Sequence, residues 1–285
     1  MIAPPASHPY VVADVFTDTP LEGNAVAVFT EAAGLDDGTM ARLARELNLS
    51  ETVFVLAPQH GGDAWIRIFT PRAELPFAGH PVLGTAFVLA GERDLVRLET
   101  GRGIVPVSLE RNGARVVFGR MAQPIPTVEV FDREGELFDA LGVSGSRLPL
   151  GAYENGPHNV LVTLEDEAAV AALAPDFRAL EALGTLNVSC FAGGGRSWKT
   201  RMFAPSLFVN EDPATGSAAG PIALHLARHG EIAFGEEIEL AQGAEIGRPS
   251  RLYARVDGSP ERIERIEVGG AAVIVARGEF TLARA

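Results

Sequence analysis

Two stretches of this chain, PVLGTAFVLA at 81–90 and AAGPIALHLA at 218–227, read as helices with no continuous polar face. A helix that is apolar all round cannot lie on a surface and must be enclosed by other elements. The enclosing elements read as strands. Runs such as YVVADVF, AVAVF, TVFVLA and AWIRIF precede the first stretch, and GIVPVSLE and ARVVFGRM follow it. HNVLVTL, LNVSCFAG and WKTRMFAP precede the second, and EIELAQG, SRLYARVDG, IERIEVGG and AVIVARGEFTL follow. Gly, Pro, Asp or Asn separate these runs, and RNG at 111–113 joins two of them as a tight hairpin. Met40, Leu43, Ala44 and Leu47 share one face at i, i+3, i+4 and i+7, which predicts an amphipathic helix.

The two halves follow one scheme. RIFTPRAELPFAGHPVLGTAFVLA and RMFAPSLFVNEDPATGSAAGPIALHLARHG both run from a basic residue through a strand ending in Phe-x-Pro. An acidic loop, small residues and the apolar helix come next. The sequence therefore predicts two lobes of strands and helices related by pseudo-symmetry. Pro- and charge-rich AQPIPTVEVFDREGE (122–136) reads as the crossover. Residues 1–127 form the N-terminal lobe and 128–285 the C-terminal lobe, with the last strand free to return to the first. A ligand belongs in the cleft between lobes so related.

Composition narrows the chemistry. With 47% hydrophobic and 21% charged residues over 285 positions, the chain can bury a large core. A net charge of −13 repels phosphate backbones and argues against nucleic acid as a partner. Lys199 is the sole lysine, so a Schiff base has one place to form. Cys190 is the sole cysteine, which excludes an intrachain disulfide and fits a reducing cytoplasm. MIAPPASHPY has neither the charged nor the apolar region of a signal peptide, and no apolar run reaches membrane-spanning length.

The candidate chemistry gathers at the helix mouths. The first turn of a buried helix carries unpaired N–H groups and the positive end of the dipole, worth about 0.3–2 kcal/mol to an anion. Pro81 suits the start of the first helix and Gly91 its end. Pro221 is tolerable in the second only within the first turn, and Gly230 is a natural stop. His80 stands at the first mouth, either as a simple cap or facing a ligand. Glu51 in LNLSETVFV is either a solvated turn acid or a carboxyl among Leu49, Val53 and Phe54, where its pKa would rise. Glu211 and Asp212 precede the second helix, either stabilising its dipole or facing substrate.

Other patterns are weaker. HLARH places His225 and His229 at i, i+4 but lacks the acid and third ligand of a zinc helix, and reads as a solvated face. GGGRSW matches no nucleotide fingerprint and reads as a turn. Ser217 has no visible His/Asp set, and no nucleophile elbow is present.

Five blocks carry a family resemblance: DVFTDTPLEGNAVAVF, LNLSETVFV, IRIFTPRAELPFAGHPVLGTA, FAPSLFVNEDPATGSAAGPIALHLARHG and QGAEIGRPS. Together they resemble the phenazine-biosynthesis isomerase family, of the diaminopimelate-epimerase fold, over roughly residues 8–283. AQPIPT, NGP at 155–157 and CFAGGGRSW extend the likeness. The resemblance implies an α+β fold of two pseudo-symmetric lobes, each a curved, barrel-like β-sheet around a central helix, and a homodimer with no cofactor and no metal. It implies conversion of a small carboxylate, trans-2,3-dihydro-3-hydroxyanthranilate, to its aminoketone isomer, the proton leaving C3 and returning at C1. A related isomerase or epimerase acting on another small amino or hydroxy acid is the alternative. By the same resemblance Glu51 is the general acid/base, and His80 and Asp212 are its polar support. Ser50, Gly79, Gly216 and Ser217 are substrate contacts. Racemases of this fold need a cysteine at each helix mouth. Neither mouth has one here, so two-thiol chemistry is excluded.

Overall fold

The computed structural model describes residues 6–282. The first half comprises β1 (Ala6–Val15), β2 (Asn24–Phe29), α1 (Asp37–Leu47), β3 (Glu51–Leu56), β4 (Ala64–Phe69) and β5 (Glu74–Leu75). It continues with α2 (Gly79–Leu89), β6 (Leu95–Thr100), β7 (Gly103–Asn112) and β8 (Arg115–Gln123). The second comprises β9 (Thr127–Val128), α3 (Glu134–Leu141), β10 (Gly151–Glu154), β11 (His158–Thr163), α4 (Glu167–Ala171), α5 (Phe177–Ala182) and β12 (Asn187–Gly194). It ends with β13 (Ser197–Ala204), β14 (Val209–Asp212), α6 (Gly216–Arg228), β15 (Glu237–Gln242), β16 (Ser250–Gly258), β17 (Ile263–Gly270) and β18 (Ala272–Leu282).

The internal repeat extends to every strand pairing. In the first half β1 pairs β2 antiparallel, β2 pairs β3 parallel, β3 pairs β4 antiparallel and β4 pairs β6 parallel. β10, β11, β12, β13 and β15 repeat those senses in the same order. Each half then closes with an antiparallel meander, β6–β7–β8 and β15–β16–β17. β9 pairs with β10 as β18 pairs with β1. The two expected sheets are joined: β8 and β17 pair antiparallel, Met121 opposite Val268, so the described strands form one connected, curved sheet.

The same motif residues stabilise both halves. Arg67 grips Glu74 through Nε and Nη2 (2.7 and 2.6 Å), and Arg201 grips Glu211 likewise (2.8 and 2.7 Å). Each guanidinium also lies over the phenylalanine two residues on, Phe69 or Phe203. Planar bidentate pairs of this kind fix geometry as well as contributing energy. Arg201 further donates to the carbonyls of Val170, Ala171 and Leu173 at the end of α4.

The two apolar helices sit where their composition requires. α2 packs against β1, β2, β3, β6, β7 and β8, and α6 against β11, β16 and β17. Val82, Leu83 and Ala86 are fully buried, as are Ala223, Leu224 and Leu226. Burying a side chain such as Leu83 contributes about 1.5–3 kcal/mol. Pro81 is the third residue of α2, still within the turn whose N–H groups lack acceptors. Gly91 beyond its end adopts φ +52°, and Gly230 beyond α6 adopts φ +76°.

Two expectations are corrected. Pro221 lies well inside α6, not in its first turn. It strips an N–H from the ladder and leaves the Ser217 carbonyl without its helical donor, and Asn155 Nδ2 supplies a replacement at 2.8 Å. His225 is not on a solvated face: it is 1% exposed, against Tyr153 Oη at 3.1 Å, and only His229 is exposed. Lys199 is held by Glu245 at 2.6 Å rather than being free for a Schiff base. Cys190 is fully buried and burial pushes its thiol up to about 12, so it is inert. Among the described residues, no group of three or more His, Cys, Asp or Glu side chains is placed to hold a metal ion. No described helix is long and apolar enough to cross a membrane.

The first turns of α2 and α6 meet. A Cβ on Gly79 would lie 2.5 Å from Gly216 C and Ser217 N, and one on Gly216 would lie 3.1 Å from Gly79 Cα. Backbone cannot retreat from such contacts as a flexible side chain can. Gly79→Ala is expected to destabilise the fold by about 1–3 kcal/mol in urea denaturation. An unchanged midpoint would show that the helices do not abut.

Candidate active site

The meeting of α2 and α6 leaves a cleft of about 720 Å³, mouth included. Gly79 and His80 line it from one helix, and Gly216 and Ser217 from the other. Neither helix has a side-chain N-cap: Ala78 and Thr215 occupy the cap positions without capping bonds. Two sets of orphan N–H groups and two dipole ends therefore face one space, which suits a carboxylate.

Glu51 enters the cleft from the first residue of β3, beside Val26 of the parallel β2. Its side chain is 15% exposed, and Oε2 is buried with no hydrogen-bond donor. Burial, and then the negative charge of Asp212, push its pKa well above the usual carboxylate range. The reading of Glu51 as a solvated turn acid does not fit this site.

His80 is 3% exposed, and its Nε2 lies 3.4 Å from Glu51 Oε2. Burial lowers its pKa to about 3, offset only in part by a hydrogen bond to the Ala25 backbone. The ring is therefore neutral at physiological pH. With an N–H committed to Ala25, Nε2 presents a lone pair toward Glu51, ready to accept from the protonated carboxyl.

Asp212 is the last residue of β14 and 5% exposed. Oδ1 accepts from Asn24 Nδ2 (2.8 Å) and Ser50 Oγ (3.2 Å), and Oδ2 from Thr215 Oγ1 (2.6 Å). Burial raises its pKa to about 6, although these three donors pull it down. Gln242 braces the loop: Nε2 donates to Asp212 O (2.8 Å) and Thr215 Oγ1 (2.9 Å), and Oε1 accepts from Thr215 N (3.1 Å). Gln123 Nε2 donates to Gly216 O at 2.6 Å.

Glu51, Gly79, His80, Asp212, Gly216 and Ser217 all line the cleft. Ser50 does not; its hydroxyl supports Asp212 from behind. Glu211, weighed beside Asp212, is committed to Arg201. Sequence reasoning assigned no role to Asn24, Gln123, Asn155 or Gln242. Each lies inside a block that carries the family resemblance, which is the one signal that marked them.

The curated trans-2,3-dihydro-3-hydroxyanthranilate isomerase of Pseudomonas aeruginosa is 56% identical over 277 residues, covering 96% of this chain and 100% of that protein. The PhzF-family phenazine biosynthesis protein of Bacillus anthracis superposes with a TM-score of 0.85 over 97% of this chain and 100% of its own, at 24% identity. A hydroxyproline epimerase from Agrobacterium vitis shares the fold at a TM-score of 0.66 and 13% identity, over 97% of this chain and 92% of its own. The architecture is thus the α+β, diaminopimelate-epimerase-like one expected from sequence. The model of the family described as phenazine biosynthesis-like protein matches residues 13–278, and the chain belongs to that family.

Proposed function

We propose that this protein is a cofactor-independent isomerase that converts trans-2,3-dihydro-3-hydroxyanthranilate to its aminoketone isomer. One observation carries the mechanism: the Glu51 carboxyl, its Oε2 buried without a hydrogen-bond donor, at the point where two uncapped helices meet. The 56% identity to a curated isomerase of that substrate supports the assignment of substrate.

The chemistry follows from the geometry. The free N–H groups of α2 and α6 hold the substrate carboxylate. Ionised Glu51 abstracts the proton from C3, and negative charge spreads through the ring toward the carboxylate. The helix ends stabilise that charge as it grows, with no reorganisation needed. Protonated Glu51 then delivers the proton to C1 on the same ring face, and the enol tautomerises to the ketone. A carboxyl with a raised pKa suits both steps, being basic enough to abstract and acidic enough to return. Neutral His80 accepts a hydrogen bond from the protonated form and orients it. Asp212, fixed by three donors, holds the hydroxyl or amino group of the ring. A homodimer, as the family resemblance implies, working in the cytoplasm, which the single cysteine fits, is part of this proposal.

Three outcomes test it. Glu51→Gln is expected to lower kcat by at least about 10²–10⁴-fold, followed as loss of the substrate's diene absorbance. Full turnover by this variant would sink the mechanism. The ascending limb of kcat/KM against pH is expected above the ordinary carboxylate range, because the free enzyme must hold ionised Glu51. Asp212→Asn removes a neighbouring negative charge and should shift that limb to lower pH; a shift upward contradicts the coupling.

Stability gives an independent check. Glu51 has a folded pKa above its unfolded one, so its contribution is complete below the ordinary carboxylate pKa and is lost as pH rises through the folded value. Glu51→Gln does not titrate there. Its stability relative to wild type should therefore grow as pH rises from the ordinary carboxylate range through the folded pKa of Glu51. A constant difference would mean that Glu51 ionises as freely in the folded protein as in the unfolded chain.

A further inference from the structure

The lining of the cleft carries a polar residue that the mechanism leaves unused. Asn187, the first residue of β12, lines the cleft and is 5% exposed. Its Nδ2 donates to Asn159 Oδ1 at 3.4 Å. Asn159 Nδ2 donates in turn to Asn155 Oδ1 at 3.2 Å, and to the Pro157 carbonyl at the same distance. Asn155 Nδ2 donates to the Ser217 carbonyl at 2.8 Å. All three asparagines are buried, at 2%, 0% and 5% exposed for Asn155, Asn159 and Asn187.

The direction of this chain is forced at its far end. The Ser217 carbonyl is free because Pro221, four residues on, has no N–H to offer it. A carbonyl can only accept, so Asn155 must turn its amide nitrogen toward it and its oxygen toward Asn159. Asn159 must then point its nitrogen at Asn155 and its oxygen at Asn187. Asn187 must in turn spend its nitrogen on Asn159. Its Oδ1 is left over. Among the described residues no donor bonds that oxygen, and it is not among the sealed, unpartnered atoms of the interior. It therefore opens on the cleft that Asn187 lines.

We propose that Asn187 is a specificity-determining residue that presents a fixed hydrogen-bond acceptor to the substrate's amino or hydroxyl group, and that Asn159 and Asn155 are positioning residues that hold its orientation. The inference rests on the proposed substrate class, a ring bearing a carboxylate at one end and N–H or O–H donors beside it. The helix ends take the carboxylate, and Asn187 takes a donor from the other side. A carboxylate placed wrongly, against Asn187, would meet an acceptor and be rejected. A site built to hydrogen-bond an N–H or O–H discriminates strongly against an analogue that lacks it, because its own polar group is then left unpaired.

The test compares two unreactive aromatic probes by calorimetry: 3-hydroxyanthranilate, which has both donors, and benzoate, which has neither. Wild type should bind the first more tightly. In Asn187→Leu the ratio of the two affinities should fall about tenfold, through weaker binding of 3-hydroxyanthranilate with benzoate unchanged. Asn159→Ala does not alter a residue lining the cleft, and it should lower the same ratio because the Asn187 amide can then flip. Melting temperatures identify any variant that has failed to fold, and Asn187→Ser then replaces Asn187→Leu. Equal losses for both probes, or an unchanged ratio, would overturn the proposal. Turnover of the dihydro substrate by wild type is measured alongside. If turnover is absent, the functional reading fails; if it is present and the ratio does not respond, only the role of Asn187 fails.

Discussion

Everything in the site depends on the contact between Gly79 and Gly216. Two helices that lack polar faces are each wrapped by half of the sheet, and their first turns touch where neither has a Cβ. That contact aims two uncapped N-termini at one space and seals the space from behind. With a side chain at either position the helix ends would be pushed apart and the field would weaken. The repeat in the sequence thus has a functional product that neither half could generate alone, since each supplies one of the two helix ends.

The sealed space then sets the protonation states. Burial strips Glu51 of water and Asp212 stands near it, so its proton is held more tightly than usual. Asp212 has three donors but little solvent, and its pKa rises only to about 6. His80 has lost water and gained one backbone partner, and it stays neutral. Three titratable groups in one cleft are driven to different states by burial and by the number of donors each has. Gly79 and His80 stand at one helix mouth, Asp212, Gly216 and Ser217 at the other, and Glu51 enters from the start of β3.

How much of this was legible in the sequence follows from how local each signal is. The apolar helices, the hairpin at 111–113 and the amphipathic α1 show in windows of a dozen residues, and the structure has them. The repeat was legible because its order survives although few residues are identical. Short α4 and α5 went unread, although Asp166 and Asp176 cap them; helices of five and six residues carry too little periodicity to register. β6 was also unread. Pro221 was misplaced because its tolerance depends on Asn155, distant in sequence. His225 was read as exposed because its burial is set by Tyr153 on a strand distant in sequence. Glu51, His80 and Asp212 were singled out in the sequence, and the structure brings them to one cleft, yet the polar frame of Asn24, Gln123, Asn155 and Gln242 was not singled out. Single amides within apolar runs have no pattern until the fold brings their partners to them.

The central claim is that Glu51 holds its proton beyond the range of an ordinary carboxyl, because the converging helices remove its water. Infrared difference spectroscopy between wild type and Glu51→Gln, recorded across a pH series, measures this directly. The account predicts a protonated-carboxyl carbonyl band belonging to Glu51 that persists above the pH at which exposed glutamates have ionised, and a corresponding carboxylate band that appears only as it fades. A Glu51 fully ionised by pH 5, with no such band beyond it, would contradict the account.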